Sequence, residues 1–513
     1  MRKPEDNPKT TVAIIGSGMA GLVAAYLLKQ DRDQRFDVQV FEMQDKLSLD
    51  SASITVPSED GRGIRVDLPM RAFAGGFYSN LRRMYNHLDV KYIPIQFLFP
   101  LSKAPISRSS KLLPSSDQGR EEDDIKILPS KPYFIHSSNN HRIPPVRPEH
   151  LGLWDWITEF MYLILCFTWY TFCCYFIPPY SSRSQYQSTS PTGVTKLQDA
   201  SLSEQLDEYL QRIRLPTYFT QNYIIPQFSA VTTCSHEALL KFPAKDLIEY
   251  ATQTFNVPYY VVQGGVNVVQ KKLAEGLNIQ LNSRVISVES QSGPSSKVRV
   301  SYRIGGEGTL HQKYFDHAIM AITPDVVGAI FQPLRSTMTH VPTTAVESVV
   351  HKDTSSLHVM SQNCLSGNKV KNPTTDGPSH SSSSSPSPET QVIHVRSSPT
   401  GFTEAVHECA ASVLVTTVPI TPIDPSKIIH RTRFTRVLRT PQSKEVINRI
   451  FGCDSVACGA SSEKSHQWRN GDGNVWLVGG WCWDGMVLLE GCVVSAMRVA
   501  DALGVHVPWR AVS

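Results

Sequence analysis

The sequence lacks the features of nucleic-acid-binding, metal-binding and secreted proteins. Its 513 residues include 50 Lys and Arg and 46 Asp and Glu, for a net charge of +4. This excess is too small to attract nucleic acid, and no basic patch interleaved with aromatic residues occurs. The ten cysteines form no CxxC pair. Cys453 and Cys458 come nearest to a motif without a histidine pair beside them, so we expect reduced thiols and no metal site. The opening MRKPEDNPKT has no apolar core, so we expect a cytoplasmic chain without a secretory signal.

What the sequence does contain is a pattern of strand, tight turn and helix in residues 11–21, TVAIIGSGMAG, which continue into LVAAYLLKQ. An apolar, β-rich run enters Gly16, Gly18 and Gly21 in GxGxxG spacing. The first glycine permits the turn, the second lets the backbone approach a pyrophosphate, and the third lets helix and strand pack closely. This pattern predicts dinucleotide binding at the helix N-terminus.

An acidic residue follows at the end of the second predicted strand. Residues 38–42 read VQVFE, and Glu42 lies about 20 residues beyond the last glycine, where a carboxylate accepts hydrogen bonds from a ribose 2'-hydroxyl. Because this acid disfavours a 2'-phosphate, FAD and NAD remain. The compact second half of a nicotinamide domain does not follow, so we predict FAD.

The next stretch carries a family resemblance. Residues 61–92 read GRGIRVDLPMRAFAGGFYSNLRRMYNHLDVKY, a short strand, a glycine-containing turn and a helix. This pattern resembles the flavin-containing amine oxidase superfamily, and it is closest to the amine-oxidase-like, predicted NAD/FAD-binding proteins of bacteria and fungi. The resemblance implies that Asp67 and residues 71–76 lie close to a flavin. The usual Gly-Gly-Arg after the second strand is replaced by DKLSLDSAS.

Three later stretches extend the resemblance. Residues 258–290 match a Gly-Gly turn, a helix and the adenine-side strand, which implies that Val285 meets the adenine. Residues 314–323 read as a buried strand ending at Thr323. Residues 474–504 read as a strand, a glycine turn and a long helix whose positive end can face the flavin N1/O2 edge. In this stretch the family's usual Gly-Asp pair is replaced by Gly-Gly at positions 479–480. The His-Glu-Asp-Gly of the closest relatives is replaced by Leu-Leu-Glu-Gly at positions 488–491.

The motif and the resemblance together assign a set of residues to FAD. They are Gly16, Ser17, Gly18, Met19, Ala20, Gly21, Glu42, Met43, Arg71, Val285, Thr323, Gly480, Trp481, Leu489, Glu490 and Gly491. Candidates for a catalytic role are His351 and Asp353, which face the same way on a strand, and Trp481 as an aromatic wall. A hydrogen-bonded surface pair explains His351 and Asp353 equally well.

The most hydrophobic segment is residues 151–177, LGLWDWITEFMYLILCFTWYTFCCYFI, which is long enough to span a membrane. A single crossing would separate the two ends of the chain, which must build one FAD site on one side. An interfacial helix with one-sided membrane contact and a buried helix lining an apolar substrate tunnel both fit, and a genuine span is the third alternative. Trp154, Trp156, Trp169 and Tyr170 suit the interface.

These observations predict an α/β fold, a Rossmann-type FAD-binding domain with an inserted α+β substrate domain. Residues 1–101, 258–330 and 441–513 would form the FAD domain, and residues 149–257 and 331–440 the substrate domain. A polar insertion loop (102–148) and a disordered loop (367–399) would complete the chain.

The predicted function is that of an FAD-dependent, amine-oxidase-like oxidoreductase that transfers a hydride from an organic small molecule to flavin N5. The apolar segment slightly favours a lipid-like substrate over a small amine. One alternative is a lipid or polyene desaturase or isomerase related to the carotenoid desaturases. Another is an inactive FAD-binding scaffold, which the missing Gly-Gly-Arg, Gly-Asp and histidine would explain.

Overall fold

A computed structural model describes residues 8–57, 61, 63–104, 130–138, 147–180, 203–291, 296–305, 308–357, 389–452 and 468–510. Cys453, Cys458 and most of the predicted insertion loops lie outside these residues.

The described strands form four sheets. They are β1 (Thr10–Ile15), β2 (Phe36–Phe41), β3 (Ile54–Pro57), β4 (Gly63–Val66), β5 (Phe73–Ala74), β6 (Tyr92–Lys103), β7 (Pro132–Ser137), β8 (Tyr259–Val262), β9 (Asn278–Gln280), β10 (Ser283–Ser290), β11 (Val298–Ile304), β12 (Leu310–Phe315), β13 (His317–Met320), β14 (Thr343–His351), β15 (Glu389–Ser397), β16 (Thr403–Glu408), β17 (Leu414–Thr417), β18 (Ile428–Val437) and β19 (Val475–Leu477).

The α-helices are numbered in chain order, like the strands. They are α1 (Met19–Lys29), α2 (Ser79–His87), α3 (Leu153–Phe176), α4 (Leu206–Arg212), α5 (Thr217–Phe219), α6 (Ile225–Thr232), α7 (His236–Leu240), α8 (Ala244–Thr254), α9 (Val266–Ala274), α10 (Pro324–Ile330), α11 (Arg335–Met338), α12 (Pro441–Phe451) and α13 (Leu489–Ala502).

A five-stranded parallel sheet in the order β19-β13-β1-β2-β9 forms the centre of the predicted Rossmann unit. Its strands read as continuous apolar runs because both faces are covered by helices. Val12 and Ile14 pack into a core with α1 and α13, whereas Ala13 and Ile15 pack into a second core with α10 and α12. This three-layer arrangement confirms the predicted α/β fold, and one sheet draws strands from three separated stretches of sequence.

A nine-stranded mixed sheet lies beside this unit, in the order β18-β14-β17-β16-β15-β6-β8-β5, with β7 paired to β6. It includes β5, β6 and β8, which the sequence division had assigned to the FAD domain. The predicted disordered loop 367–399 was wrong for its last part, since β15 pairs with both β6 and β16. Strand β15 forms there because its valines and isoleucine fill the sheet interior.

Two smaller antiparallel sheets complete the β structure. Strands β10, β11 and β12 form a meander, and β3 pairs with β4. The helix predicted after the glycine-containing turn in residues 61–92 is confirmed as α2. Strand β7 lies within the predicted polar insertion loop 102–148 and pairs antiparallel with β6.

Candidate FAD and substrate site

The glycine loop lies at the carboxyl edge of the parallel sheet. Gly16 has φ +100°, and a Cβ there would lie 2.7 Å from the carbonyl oxygen of Ala321, just after β13. A Cβ on Gly21 would lie 2.1 Å from the Gly16 oxygen. A Cβ on Gly18, by contrast, would have no neighbour within 4 Å. The first and third glycines therefore permit tight packing, and the second leaves open space.

That open space faces the start of α1. Gly18 is the N-cap residue and supplies no side-chain hydrogen bond, and the first turn contains no acidic residue. The first amides of a helix lack intrahelical partners and carry partial positive charge. An uncapped N-terminus next to a glycine with no Cβ fits the pyrophosphate of a dinucleotide.

Glu42 follows β2 at the same edge and is buried. One of its carboxylate oxygens accepts hydrogen bonds from the Ser17 amide at 3.1 Å and the Ser17 hydroxyl at 2.5 Å. The other accepts the Gln44 amide at 3.0 Å. Glu42 thus braces the glycine loop, and a ribose contact would use its remaining acceptor capacity. Met43, the next predicted residue, is 63% exposed.

The C-terminal loop joins the glycine loop at this edge. The Trp481 indole donates to the Ile322 carbonyl at 3.0 Å. A Cβ on Gly480 would lie 3.4 Å from Cys492 Sγ. Burial raises the pKa of the Cys492 thiol to about 11, although backbone hydrogen bonds from Gly480 and Ala20 oppose that rise. Residues from α1, from the end of β13 and from the start of α13 therefore meet.

Three comparisons with known proteins bear on this geometry. Residues 14–88 match the model of an NAD(P)-binding Rossmann-like domain, and residues 192–504 match that of the flavin containing amine oxidoreductases. The second match covers more than half of the chain. The protein belongs to the flavin containing amine oxidoreductase family.

Solved structures share the fold of this flavin enzyme. An oxidoreductase from Methanosarcina mazei is 11% identical with a TM-score of 0.50, and the match covers 96% of this chain and 100% of that one. A CLA-producing fatty acid isomerase from P. acnes is 12% identical with a TM-score of 0.52, covering 96% and 98%. No curated protein matches the chain. Family membership makes this chain an FAD-dependent oxidoreductase, as the sequence predicted.

Arg71 supplies a further feature that fits FAD. Its Nη2 donates to the Leu49 carbonyl at 3.2 Å, while its Nε is buried and has no hydrogen-bond partner among the described residues. Burial lowers the pKa of Arg71, and nearby Tyr85, Asp67 and Cys492 oppose that shift. The Nε–H group of Arg71, which has no partner among the described residues and lies near Cys492, could donate a hydrogen bond to an acceptor atom of the cofactor.

Trp481 and Trp483 have different surroundings. Trp481 is 3% exposed and packs in the core beneath the loop, so it is not an aromatic wall of an open site. Trp483 contacts Phe77 with ring centroids 5.9 Å apart, and a Cβ on Gly491 would collide with its indole. Trp483 therefore lies against the first turn of α13.

Glu490 is the first acidic residue of α13, and its side chain is directed at α2. Its two carboxylate oxygens accept the Asn80 amide at 2.9 Å, the Asn80 side chain at 2.8 Å and the Leu81 amide at 3.0 Å. The carboxylate therefore caps α2, whose own N-cap residue, Tyr78, makes no side-chain cap bond. A cofactor contact at position 490 would come from the backbone.

A buried arginine that the sequence analysis missed holds the C-terminal loop. Nη2 of Arg439 donates to the carbonyls of Trp483 at 2.8 Å, Gly485 at 3.0 Å and Trp481 at 3.4 Å. Its charge is balanced by Asp246 of α8 at 3.8 Å. The loop before α13 is thus tied to the helical part of the substrate domain.

The sequence carried no clear signal for Arg439. It ends the run RTRFTRVLR, whose alternating arginines are typical of an exposed strand. Lys444 of α12 also pairs with Asp246, which completes a buried cluster of two cations and one acid. Only the tertiary contacts distinguish Arg439 from Arg431 and Arg433, which are exposed on the same run.

Two further residues predicted to contact the cofactor, Thr323 and Val285, lie at the start of α10 and on β10. Thr323 is the N-cap residue of α10, two residues after Ala321. Val285 is buried on β10, opposite Tyr302, where the pairing is irregular. Their contacts with FAD stay predictions.

His351 and Asp353 are buried, so the reading as a surface pair was wrong. His351 Nε2 lies 2.7 Å from the Thr416 hydroxyl, and its Nδ1 accepts the Asp353 amide at 3.1 Å. The Asp353 carboxylate accepts the amides of Ser355 and Asp424 at 3.1 and 2.9 Å. Both side chains are occupied in joining β14 to its neighbours, which favours a structural over a catalytic role.

Proposed function

We propose that this FAD-dependent oxidoreductase removes a hydride from a carbon of an apolar, lipid-like substrate that reaches it from one side of a membrane. When bound, FAD would supply the electron acceptor, taking the hydride at N5. The protein's own residues would hold the cofactor and the substrate in contact and exclude water from between them.

The observation that carries the substrate class is the exposed apolar surface of α3. This helix lies in the segment assigned to the substrate domain, and large apolar side chains point to solvent along most of its length. A small charged amine gains nothing from such a surface. An apolar substrate held in a membrane would be delivered next to the domain that must bind it.

The residues that would hold FAD are those at the carboxyl edge of the parallel sheet. The backbone of Gly16 to Gly21 and the α1 N-terminus would bind the pyrophosphate, and Glu42 the ribose. The N-terminus of α13 would face the flavin, with the loop before it positioned by Arg439. Arg71 would add positive charge beside that end of the cofactor.

Desaturation and double-bond isomerisation are the reactions of this class that suit an apolar substrate. The P. acnes protein of similar fold is a fatty acid isomerase, but its 12% identity supports the fold alone. The inactive-scaffold alternative loses support from the intact glycine loop and from the membership of the family.

The test is anaerobic titration of the FAD-loaded protein with two substrate panels, one of fatty-acyl and polyene compounds and one of amines. We expect the oxidised flavin absorbance to bleach with a member of the first panel. Dithionite provides the control that the bound flavin is reducible. Bleaching by amines alone would overturn the substrate class. An isomerase returns the hydride and leaves the flavin oxidised, so the fatty-acyl and polyene panel is also analysed for a shifted double bond. Bleaching by dithionite alone with no shifted double bond would count for the scaffold. A chain that cannot be loaded with FAD would refute the cofactor assignment.

A further inference from the structure

Helix α3 carries a row of apolar side chains that the described part of the chain leaves open to solvent. Six of them recur at steps of three, four or seven residues, which keeps them on one side of a helix with 3.6 residues per turn. Their exposed fractions run from 44% at Trp169 to 78% at Trp154. These six, here called the α3 stripe, are Trp154, Met161, Leu165, Trp169, Phe172 and Phe176.

The opposite side of α3 is packed against the protein. Leu163, Cys166, Tyr170 and Cys173 are buried in the main core. The Trp169 indole donates to the Ile213 carbonyl at 2.8 Å. A helix attached to a folded domain along one side cannot be surrounded by lipid. Although α3 is long and apolar enough to cross a membrane, its packing restricts it to contact on one face.

The α3 stripe is larger than an ordinary surface patch. Its partly exposed side chains leave roughly 800 Å² of apolar surface, above the largest patch of about 300–600 Å² on a typical monomer. No charged residue occurs between positions 160 and 180. Solvent contact with such a surface is costly, so the stripe needs an apolar neighbour.

One cation beside the stripe favours a membrane as that neighbour, although the first turns of α3 carry Asp155 and Glu159. Arg214 follows the residue that bonds Trp169, is exposed, and has no carboxylate within ion-pair distance among the described residues. Cations beside an apolar helix face attract anionic lipid headgroups. Trp154 and Trp169, with Tyr180 just beyond the helix, have the amphipathic rings that suit the boundary between headgroups and acyl chains.

We propose that the α3 stripe docks the protein, with α3 in the plane of the membrane, onto a leaflet that contains anionic lipid. The inference deepens the one-sided membrane contact of the proposed function and rests on it. The stripe inserts among the upper acyl chains, and Arg214 meets a headgroup phosphate or carboxylate.

The experiment is co-sedimentation of the FAD-loaded full chain with vesicles of phosphatidylcholine alone and with about 30% phosphatidylserine added. We expect tighter binding to the anionic vesicles. The double substitution L165E/F172E should weaken binding to both about tenfold or more, because two apolar side chains no longer enter the acyl layer. R214Q should weaken binding to the anionic vesicles alone, down to the level of the neutral ones.

The matched control is L310E, which places the same charge on an apolar residue of 49% exposure on β12, close to the 47% of Phe172. It should bind vesicles like the wild type. Flavin absorbance and the thermal midpoint of each variant show that it is folded and loaded.

Three outcomes would overturn the proposal. The wild type could fail to bind either vesicle, or L165E/F172E could bind as well as L310E. The same double substitution could instead dissociate a dimer in solution, which would assign the stripe to a second copy of the chain. Flavin reduction by the fatty-acyl panel in detergent is measured separately, so failure of docking and failure of the proposed chemistry are distinguishable.

Discussion

Arg439 is a single buried side chain that holds the loop before α13 through hydrogen bonds to three of its carbonyls. Charge-assisted hydrogen bonds to carbonyls contribute about 1.5–3 kcal/mol each when buried. Arg439→Met removes three of them from residues 481–485. We expect the dissociation constant for FAD, measured by fluorescence titration, to rise by about 10- to 100-fold.

Arg439→Lys keeps the charge near Asp246 but cannot reach three carbonyls, so its FAD affinity should lie between those of the wild type and the methionine variant. The exposed Arg433→Met serves as the control and should leave FAD binding unchanged. Equal affinities for all three variants would show that the loop is positioned without Arg439.

His407 predicts a pH dependence of stability. Burial lowers the pKa of His407 to about 4, and Glu408 only partly opposes this. In the unfolded chain the imidazole takes up a proton below about pH 6.5. The unfolded state therefore binds more protons between pH 6.5 and 4, so this contribution to stability is present above pH 6.5 and lost as the pH falls towards 4.

The free energy of unfolding should fall less between pH 7 and pH 4.5 in His407→Gln than in the wild type, by on the order of 2 kcal/mol. Urea unfolding at the two pH values measures this difference. Gln391, whose side-chain oxygen lies 2.7 Å from His407 Nε2, remains a partner for the new amide. His340→Gln, at an exposed position, should leave the pH profile as it is. An unchanged profile in His407→Gln would contradict the assignment.

At the scale of elements, the N-terminus of α1 separates two roles of glycine. The Cβ of Gly18→Ala would meet no atom within 4 Å and the residue has an ordinary φ of −69°, so the free energy of unfolding should stay within about 0.5 kcal/mol of wild type. The new methyl group would occupy the space assigned to the pyrophosphate, and FAD affinity should fall about tenfold or more.

Gly21→Ala serves as the opposite case. Its Cβ would lie 2.1 Å from the Gly16 oxygen, so α1 and β1 cannot keep their spacing and both stability and FAD affinity should fall. If Gly18→Ala bound FAD normally, the cofactor would not approach this backbone.

The contact between α13 and α2 gives a second test at this scale. In the wild type one carboxylate oxygen of Glu490 accepts the Leu81 amide. Glu490→Gln keeps only one acceptor oxygen, so one of the hydrogen bonds to the start of α2 is lost. Losing an N-cap interaction costs about 0.5–2 kcal/mol, so chemical unfolding should show a loss in that range. FAD affinity should change little because the side chain points to α2. Glu275→Gln, at an exposed position after α9, is the control, and a large loss of FAD affinity in Glu490→Gln would restore the direct cofactor role.

The proposed FAD site joins stretches that are far apart in sequence, so we expect bound FAD to stabilise the whole molecule. A ligand that binds only the folded state stabilises it by about 2.7 kcal/mol at 100 times its dissociation constant. We expect added FAD to raise the thermal midpoint, measured by the fluorescence of the protein. Gly18→Ala should show little rise at the same concentration. A wild-type midpoint that does not respond to FAD would mean that no folded site exists.

Much of the cofactor side of the fold could be predicted because its signals are local. Gly16, Gly18 and Gly21 lie within six residues of one another. Gly16 needs its positive φ, and Gly21 needs to approach the Gly16 oxygen closely, which are both requirements of the local backbone. The paired glycines at positions 264 and 265, both at φ +84°, were found for the same reason. The predicted disorder of residues 389–397 was wrong because β15 is held by strands about 10 residues later and 300 residues earlier in the chain.

Side-chain partners could not be predicted in the same way. Glu490 matched a cofactor position by resemblance, yet its carboxylate caps α2, some 410 residues earlier in the chain. Trp481 was an expected aromatic wall and is a core residue, while Arg439 was indistinguishable from exposed arginines. In each case the direction of a long side chain depends on distant elements.

The sequence by itself determined the class of cofactor and the parallel sheet, since a short run of glycines and apolar residues limits the backbone to few conformations. The tertiary structure decided how α3 is used. Its composition fits a buried helix, a membrane span or an interfacial helix equally. Only packing against the core at Leu163, Cys166, Tyr170 and Cys173 leaves one side closed and the other open, because burial depends on what the rest of the chain places against it.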